Sequence, residues 1–269
     1  MRISYRPFRF SALLAVAAFA ATLAPAPVSA ETIQPAAKVP CGAPTEITRL
    51  DLPLSRVARK LAGGEALKII AIGSSSTAGA GASSPAMSYP SRLAVELQQL
   101  FPGHPISVLN RGVNGEVARD MMARLDESVI AEKPDLVLWQ VGTNSVLRDH
   151  PLEPAGALIN EGVARFKQAG ADVVLVDPQF APKVIAKPEV QTMVGMISAA
   201  AKAGKADVFH RFAVMRYWRE KAAIPFETFI SADELHMNDW SYGCVAKLLA
   251  SSIAEAATRA TVTATAVAR

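Results

Sequence analysis

Lys68-Ile69-Ile70-Ala71-Ile72-Gly73-Ser74-Ser75-Ser76-Thr77-Ala78-Gly79 is an apolar run that stops abruptly at a glycine and continues as hydroxyls. Its β-branched isoleucines suit a strand covered on both faces. In α/β sheets the loop after such a strand lies at the carboxyl edge, where ligands bind, so a serine there is placed for chemistry. Read alone, the turn is more often a polar loop.

The pattern then repeats. Ile106-Ser-Val-Leu109 runs into the polar turn Asn110-Arg-Gly-Val-Asn114-Gly115-Glu116, and Leu136-Val-Leu-Trp139-Gln-Val141 into Gly142-Thr143-Asn144-Ser145. Asp172-Val-Val-Leu-Val-Asp177 runs into Pro178-Gln179, and Asp207-Val-Phe209 is a weaker fifth strand. Between them lie helical patterns: Leu54–Leu61; Tyr89 onward with Leu93, Leu97 and Leu100; Val117, Met121, Leu125 and Val129; 154–169; 190–203; and a last helix over about 239–256. Strands alternating with helices imply right-handed crossovers and a parallel sheet with helices on both faces. All the polar loops then share one edge.

Hydrophobic residues make up 51% of 269, enough for one domain with a substantial core. Arg2, Arg6 and Arg9 precede an apolar run from Ala12 to Ala24 and a small-x-small ending at Ala30. That is the pattern of a secretory signal cleaved after Ala30, and the run is shorter than the roughly 20 residues of a spanning helix. The organisation expected is a signal peptide over 1–30, an extended tether over 31–50, the domain over 51–257 and a flexible tail over 258–269. Localisation would be periplasmic or secreted, with no stable membrane insertion after processing. Without residues 1–30 the formal charge falls from +4 to +1, which gives no reason to expect nucleic acid as a partner. Two cysteines remain, Cys41 and Cys244. In an oxidising compartment they would form a disulfide pinning the tether near the last helix; two unpaired thiols are the alternative.

One further stretch, Asp233-Glu-Leu-His236, precedes the last helix. A carboxylate three residues before a histidine can reach one ring nitrogen and fix the tautomer, leaving the other to act as a general base. A serine is a poor nucleophile until such a base takes its proton. By itself Asp-x-x-His more often marks a surface histidine. The N–H groups of Ser75 and Gly115 and the side-chain amide of Asn144 could supply an oxyanion hole, although glycine and asparagine are also ordinary turn residues. Gln179 could line the pocket, but a structural turn is the simpler account.

Competing motifs fail. Gly79-Ala-Gly81 lacks the third glycine of a dinucleotide fingerprint, and Gly-x-Ser-x-Gly is absent. His104, His150 and His210 have no ligand spacing, so neither a metal nor a cofactor is expected. Residues 78–86, small and flexible, would let a substrate approach.

The order Gly73-Ser-Ser75, Gly115, Gly142-x-Asn144 and Asp233-x-x-His236 resembles the four blocks of the SGNH/GDSL hydrolases, and it covers nearly all of the expected domain. The resemblance implies a three-layer α/β/α sandwich with a mainly parallel five-stranded sheet, related to flavodoxin. It implies Ser75 as nucleophile, where chemistry alone leaves Ser74 and Ser76 open. Asp233 and His236 would complete the triad, with Gly115, Asn144 and the Ser75 amide as oxyanion donors. One departure is visible: the family's Gly-Asp-Ser-Leu is here Gly73-Ser74-Ser75-Ser76, and Ser74 could brace the turn by bonding to backbone. The expected activity is hydrolysis of short acyl esters, acetyl first, on a small ester or an acylated glycan. An O-acyltransferase acting on sugar hydroxyls would use the same residues. A non-catalytic envelope or carbohydrate-binding protein is the third alternative.

Overall fold

The computed structural model describes Arg2, Ser4 and residues 39–267, with side chains to residue 259. The chain divides into 1–38 and 39–269. The signal read over 1–30 and the first part of the tether therefore lie outside the described residues, Arg2 and Ser4 apart.

Five strands are present in the second unit: β1 (Leu67–Gly73), β2 (Ile106–Gly112), β3 (Leu136–Gln140), β4 (Asp172–Val176) and β5 (Asp207–Phe209). They pair in parallel in the order β2-β1-β3-β4-β5, the doubly wound order of flavodoxin-type sheets. The main helices are α1 (Ser55–Ala62), α2 (Tyr89–Leu100), α3 (Ala118–Ala123), α4 (Leu152–Gln168), α5 (Val190–Gly204), α6 (Arg211–Glu220) and α7 (Asp239–Val267). On one side α7 packs against α1 and α2; α4 packs against α3 and α5. This is the expected three-layer sandwich. Ile69 to Ile72 of β1 and all of β3 are buried, as unbroken apolar runs require when both faces are covered. Strand order reverses between β1 and β3, so a crevice opens there at the carboxyl edge, where the Ser75 and Asn144 turns emerge.

The opposite edge is closed by carboxylates. Asp172, at the start of β4, accepts the N–H groups of Arg56 and Val57 at 2.8 and 3.0 Å, capping α1 from outside that helix. Asp207 accepts the N–H groups of Asp51 and Leu52 in the bend before α1, at 2.7 and 3.0 Å.

The fold departs from the sequence reading in several places. β2 continues through Asn110–Gly112, read above as turn, because these residues stay paired with Ala71–Gly73 of β1; Asn110 Nδ2 also donates to the Thr77 carbonyl at 2.7 Å and its Oδ1 accepts the Gly112 N–H at 2.9 Å. The single helix expected from Val117 to Val129 breaks after Ala123, with a separate turn at Leu125–Ser128. Arg124 sits at the break, donating to the Glu116 carboxylate and to the Arg111 carbonyl. Helix α6 was not anticipated, although Phe212, Met215 and Trp218 carry its buried spacing. The backbone of α7 continues to Val267, past residue 258 where a tail was expected.

Cys41 and Cys244 are joined, with Cα atoms 5.5 Å apart. The described part of the tether also holds a helical turn, Thr45–Thr48, and ends in fully buried Leu50. Trp218 Nε1 donates to the Gly42 carbonyl at 2.9 Å, and Ser252 Oγ to that of Thr48 at 2.6 Å. Among the described residues no helix is long and apolar enough to cross a membrane.

Candidate active site

β1 delivers the chain into a single helical turn, Ser75–Ala78, whose first residue is Ser75. Its neighbours point inward: Ser74 and Ser76 are 2% and 1% exposed. Gln140, the last residue of β3, accepts from Ser74 N and Oγ at 2.9 and 3.0 Å and from Thr77 Oγ1 at 3.3 Å. The brace expected from Ser74 to backbone is thus made to a side chain, because the β1–β3 register sets Gln140 beside Gly73. Of the three consecutive serines, Ser75 alone is partly exposed.

Asp233 and His236 lie in the loop before α7, closed by an antiparallel bridge between Ile230 and Met237. Asp233 Oδ1 accepts from Ser231 Oγ at 2.8 Å, His236 N at 2.9 Å and Leu235 N at 3.0 Å. Its other oxygen meets His236 Nδ1 at 2.5 Å, and His236 Nε2 meets Ser75 Oγ at 2.8 Å. Partial burial pushes the Asp233 carboxyl up, but the donors from His236, Leu235 and Ser231 together outweigh it and hold the group well below the usual carboxylate range. An ionised Asp233 requires the proton on Nδ1, which leaves the Nε2 lone pair facing the serine hydroxyl. The arrangement can take a proton from Ser75 and return it.

Asn144 is the second residue of the turn Thr143–Leu147 that follows β3. Its Nδ2 donates to the Glu116 carbonyl at 2.9 Å, and Arg148, one turn on, donates to the Gly115 carbonyl at 2.7 Å. One short helix thus grips the Gly115 loop at two successive carbonyls. Gly115 has φ +81°, a left-handed conformation that a side chain would strain. The Asn144 amide carries two hydrogens; one is spent on Glu116, which leaves one to offer another acceptor. Arg148 was not singled out from sequence, and nothing in its local pattern marks it.

Within residues 78–86, Gly81 also has a packing reason to be small. A Cβ on Gly81 would stand 2.3 Å from the Met237 carbonyl and 2.9 Å from His236 Cβ, so glycine lets this loop press against the histidine loop. Asp239 accepts Ser83 N and Oγ at 2.8 and 2.5 Å, and Tyr242 donates to the Ala80 carbonyl at 2.6 Å. Gln179, at 1% exposed, presents almost no surface to a substrate and fits the structural role. Trp139 and Trp218 are fully buried, and Trp240 packs edge-on to Trp218 at 5.0 Å. A cavity of about 510 Å³ beside Asp233 is lined by Pro182, Phe226, Ile230, Ser231 and Glu234. Another of about 380 Å³ is lined by Arg119, Ser145, Arg148 and His150. Among the described residues no group of three or more His, Cys, Asp or Glu side chains could hold a metal ion.

Comparison with known proteins places these features in a family. An acetylxylan esterase of Geobacillus stearothermophilus is 45% identical over 56 residues, which is 21% of this chain and 26% of that protein. An arylesterase of Vibrio mimicus is 30% identical over 95 residues, 35% of this chain and 46% of that one. The matched stretches thus span less than half of either relative. The crystal structure of a two-domain esterase active on acetylated mannans superposes with a TM-score of 0.65 at 21% identity, covering 78% of this chain and 56% of that one. A model of the non-GDSL lipase-like family matches residues 40–259, nearly the whole of the unit that carries the sheet. The chain belongs to the non-GDSL lipase-like family.

Proposed function

We propose that this protein is an exported carboxylic ester hydrolase that removes short acyl groups, acetyl above all, from glycans through an acyl-enzyme on Ser75. The observation that carries the reading is the unbroken relay from Asp233 Oδ2 to His236 Nδ1, and from His236 Nε2 to Ser75 Oγ, at 2.5 and 2.8 Å. His236 takes the Ser75 proton as Oγ attacks the acyl carbonyl. The tetrahedral oxyanion accepts hydrogen bonds from the N–H groups of Ser75 and Gly115 and from Asn144 Nδ2. His236 then gives its proton to the departing alcohol, and in the second half it takes a proton from water, whose oxygen attacks the acyl group and frees Ser75.

The glycan part rests on the likeness to an acetylxylan esterase, and aryl acetates are reasonable probes given the likeness to an arylesterase. Export rests on the basic and apolar leader read over residues 1–30, and the Cys41–Cys244 bridge suits an oxidising compartment. The test is labelling by a fluorophosphonate, with release of acetate from acetylated xylo-oligosaccharides measured alongside. A labelled Ser75 and free acetate are expected. Acetyl groups moved to a second sugar hydroxyl, with no free acid, would make it a transferase; an unlabelled, inert protein would remove the catalytic reading.

A further inference from the structure

We propose that Gln179 is a positioning residue for this reaction, a single buried amide that sets the serine turn, the Asn144 turn and the His236 loop relative to one another. The inference rests on the serine-esterase reading above. Gln179 lies beyond β4, outside every motif stretch, and is 1% exposed. Its Oε1 accepts from Thr143 Oγ1 and from Arg211 Nη2, each at 3.0 Å, with Ser76 Oγ at 3.5 Å as the weakest of the three. Its Nε2 donates to the Leu235 carbonyl at 3.2 Å. Thr143, Ser76 and Leu235 are the immediate chain neighbours of Asn144, Ser75 and His236. Three loops from different parts of the sheet edge therefore meet on one side chain.

Arg211 fixes which way that amide points. It is fully buried, and its Nε donates to the Asp177 carbonyl at 2.9 Å, which leaves Nη2 aimed at Gln179. A flipped amide would set N–H against N–H there and two carbonyl oxygens together at Leu235. The position needs an acceptor and a donor in one side chain. Glutamate would supply the acceptor and, when ionised, oppose the Leu235 carbonyl; methionine would supply neither.

The misplacements such changes allow fall on groups that act on the transition state, and an error near 1 Å can lower a rate by roughly 10². The experiment measures kcat and KM on p-nitrophenyl acetate, fluorophosphonate labelling rate and thermal midpoint for wild type, Gln179→Met, Gln179→Glu and Thr143→Val. Gln179→Met is expected to lower kcat by roughly 10–10² with KM within about threefold, and labelling should slow in proportion. Gln179→Glu, which keeps the Thr143 and Arg211 contacts, should retain more, and Thr143→Val, which removes one contact and nearly conserves shape, should fall between it and wild type. Folded variants that turn over and label at the wild-type rate would overturn the proposal, as would a rise in KM at constant kcat. If the Gln179 variants do not fold, an unchanged kcat and labelling rate in Thr143→Val overturns it. A wild type that neither labels nor turns over would instead remove the esterase reading itself, a distinguishable result.

Discussion

His236 Nε2 and Ser75 Oγ stand 2.8 Å apart although 161 residues separate them in sequence. The contact exists because Ser75 heads the turn after β1 while the neighbouring hydroxyls are turned into the protein. Ser75→Ala is therefore expected to abolish turnover, and His236→Ala to be comparably severe. Ser74→Ala removes one bond to Gln140 and should lower stability while leaving measurable activity; Ser76→Ala should do the same more mildly. Steady-state kinetics on the purified variants check this, and equal loss of activity in all three serine variants would defeat the assignment of Ser75.

Asn144 spends one amide hydrogen on the Glu116 carbonyl, and in the proposed mechanism the other serves the oxyanion. Removal of one such donor typically lowers kcat by roughly 10²–10³, so Asn144→Ala should fall in that range with KM little changed. Arg148→Ala, which frees only the Gly115 carbonyl, should fall less. A tenfold rise in KM at constant kcat for Asn144→Ala would make it a substrate-binding residue instead.

The parts of this site that were legible in sequence share a property. Ser75, Gly115 and Asn144 each follow a strand run, so local pattern locates them and the parallel sheet gives them a common edge, while Asp233 and His236 are marked by their three-residue spacing just before the last helix. Gln140 and Gln179 were not legible as supports, because their partners are set by β1–β3 register and by a loop some 56 residues away. The helix break at Arg124 was hidden for a similar reason: its cause is a guanidinium bound to Glu116 and Arg111, and hydrophobic spacing does not register such a contact. The apolar period through Met121, Leu125 and Val129 was right about burial and wrong about continuity.

The Cys41–Cys244 bridge closes a loop of 203 residues. Chain-entropy arguments put such closures at about 5 kcal/mol, an upper figure here because Leu50, the Trp218–Gly42 bond and the Ser252–Thr48 bond also hold the amino-terminal segment. The doubly substituted Cys41→Ser, Cys244→Ser protein should fold with a lower thermal midpoint. Mass spectrometry of the unreduced protein should find no alkylatable thiol, and two free thiols would refute the bridge.

His210 offers a test of pH dependence away from the site. Its Nδ1 lies 3.4 Å from Asp177 Oδ2, and that contact raises the imidazole pKa despite partial burial, which lowers it. A raised folded-state pKa stabilises the fold fully below the unfolded value, near 6.5, and the contribution is lost as pH rises through the folded value. His210→Gln should therefore be less stable than wild type at pH 5, with the difference shrinking by pH 9. Thermal midpoints at the two pH values decide it; a difference that widens with pH would reverse the assignment.

The acyl group follows from what surrounds Ser75. The stretch beside it, residues 78–86, is small, is largely exposed beyond Ala80, and is tied down by Tyr242 and Asp239, so no apolar lid stands over the serine there. The cavity beyond the Asn144 turn has apolar walls at Val117, Pro151, Pro154 and Leu158, but Arg119, Asp120, Arg148 and His150 interrupt them, so it offers a hydrocarbon chain no continuous apolar path. Apolar side chains do line the cavity beside Asp233, through Pro182, Phe226 and Ile230, but Glu227 and Glu234 share its wall. Each methylene buried in a continuous channel would add ~0.8 kcal/mol of binding, and none of these surfaces offers one. On p-nitrophenyl esters from C2 to C16, kcat/KM should peak at acetyl or butyryl and fall steeply beyond about eight carbons, where added methylenes remain in water. A maximum at C12 or longer would mean that the cavity at Phe226 and Ile230 accepts the chain, and would move the reading from a glycan esterase to a lipase.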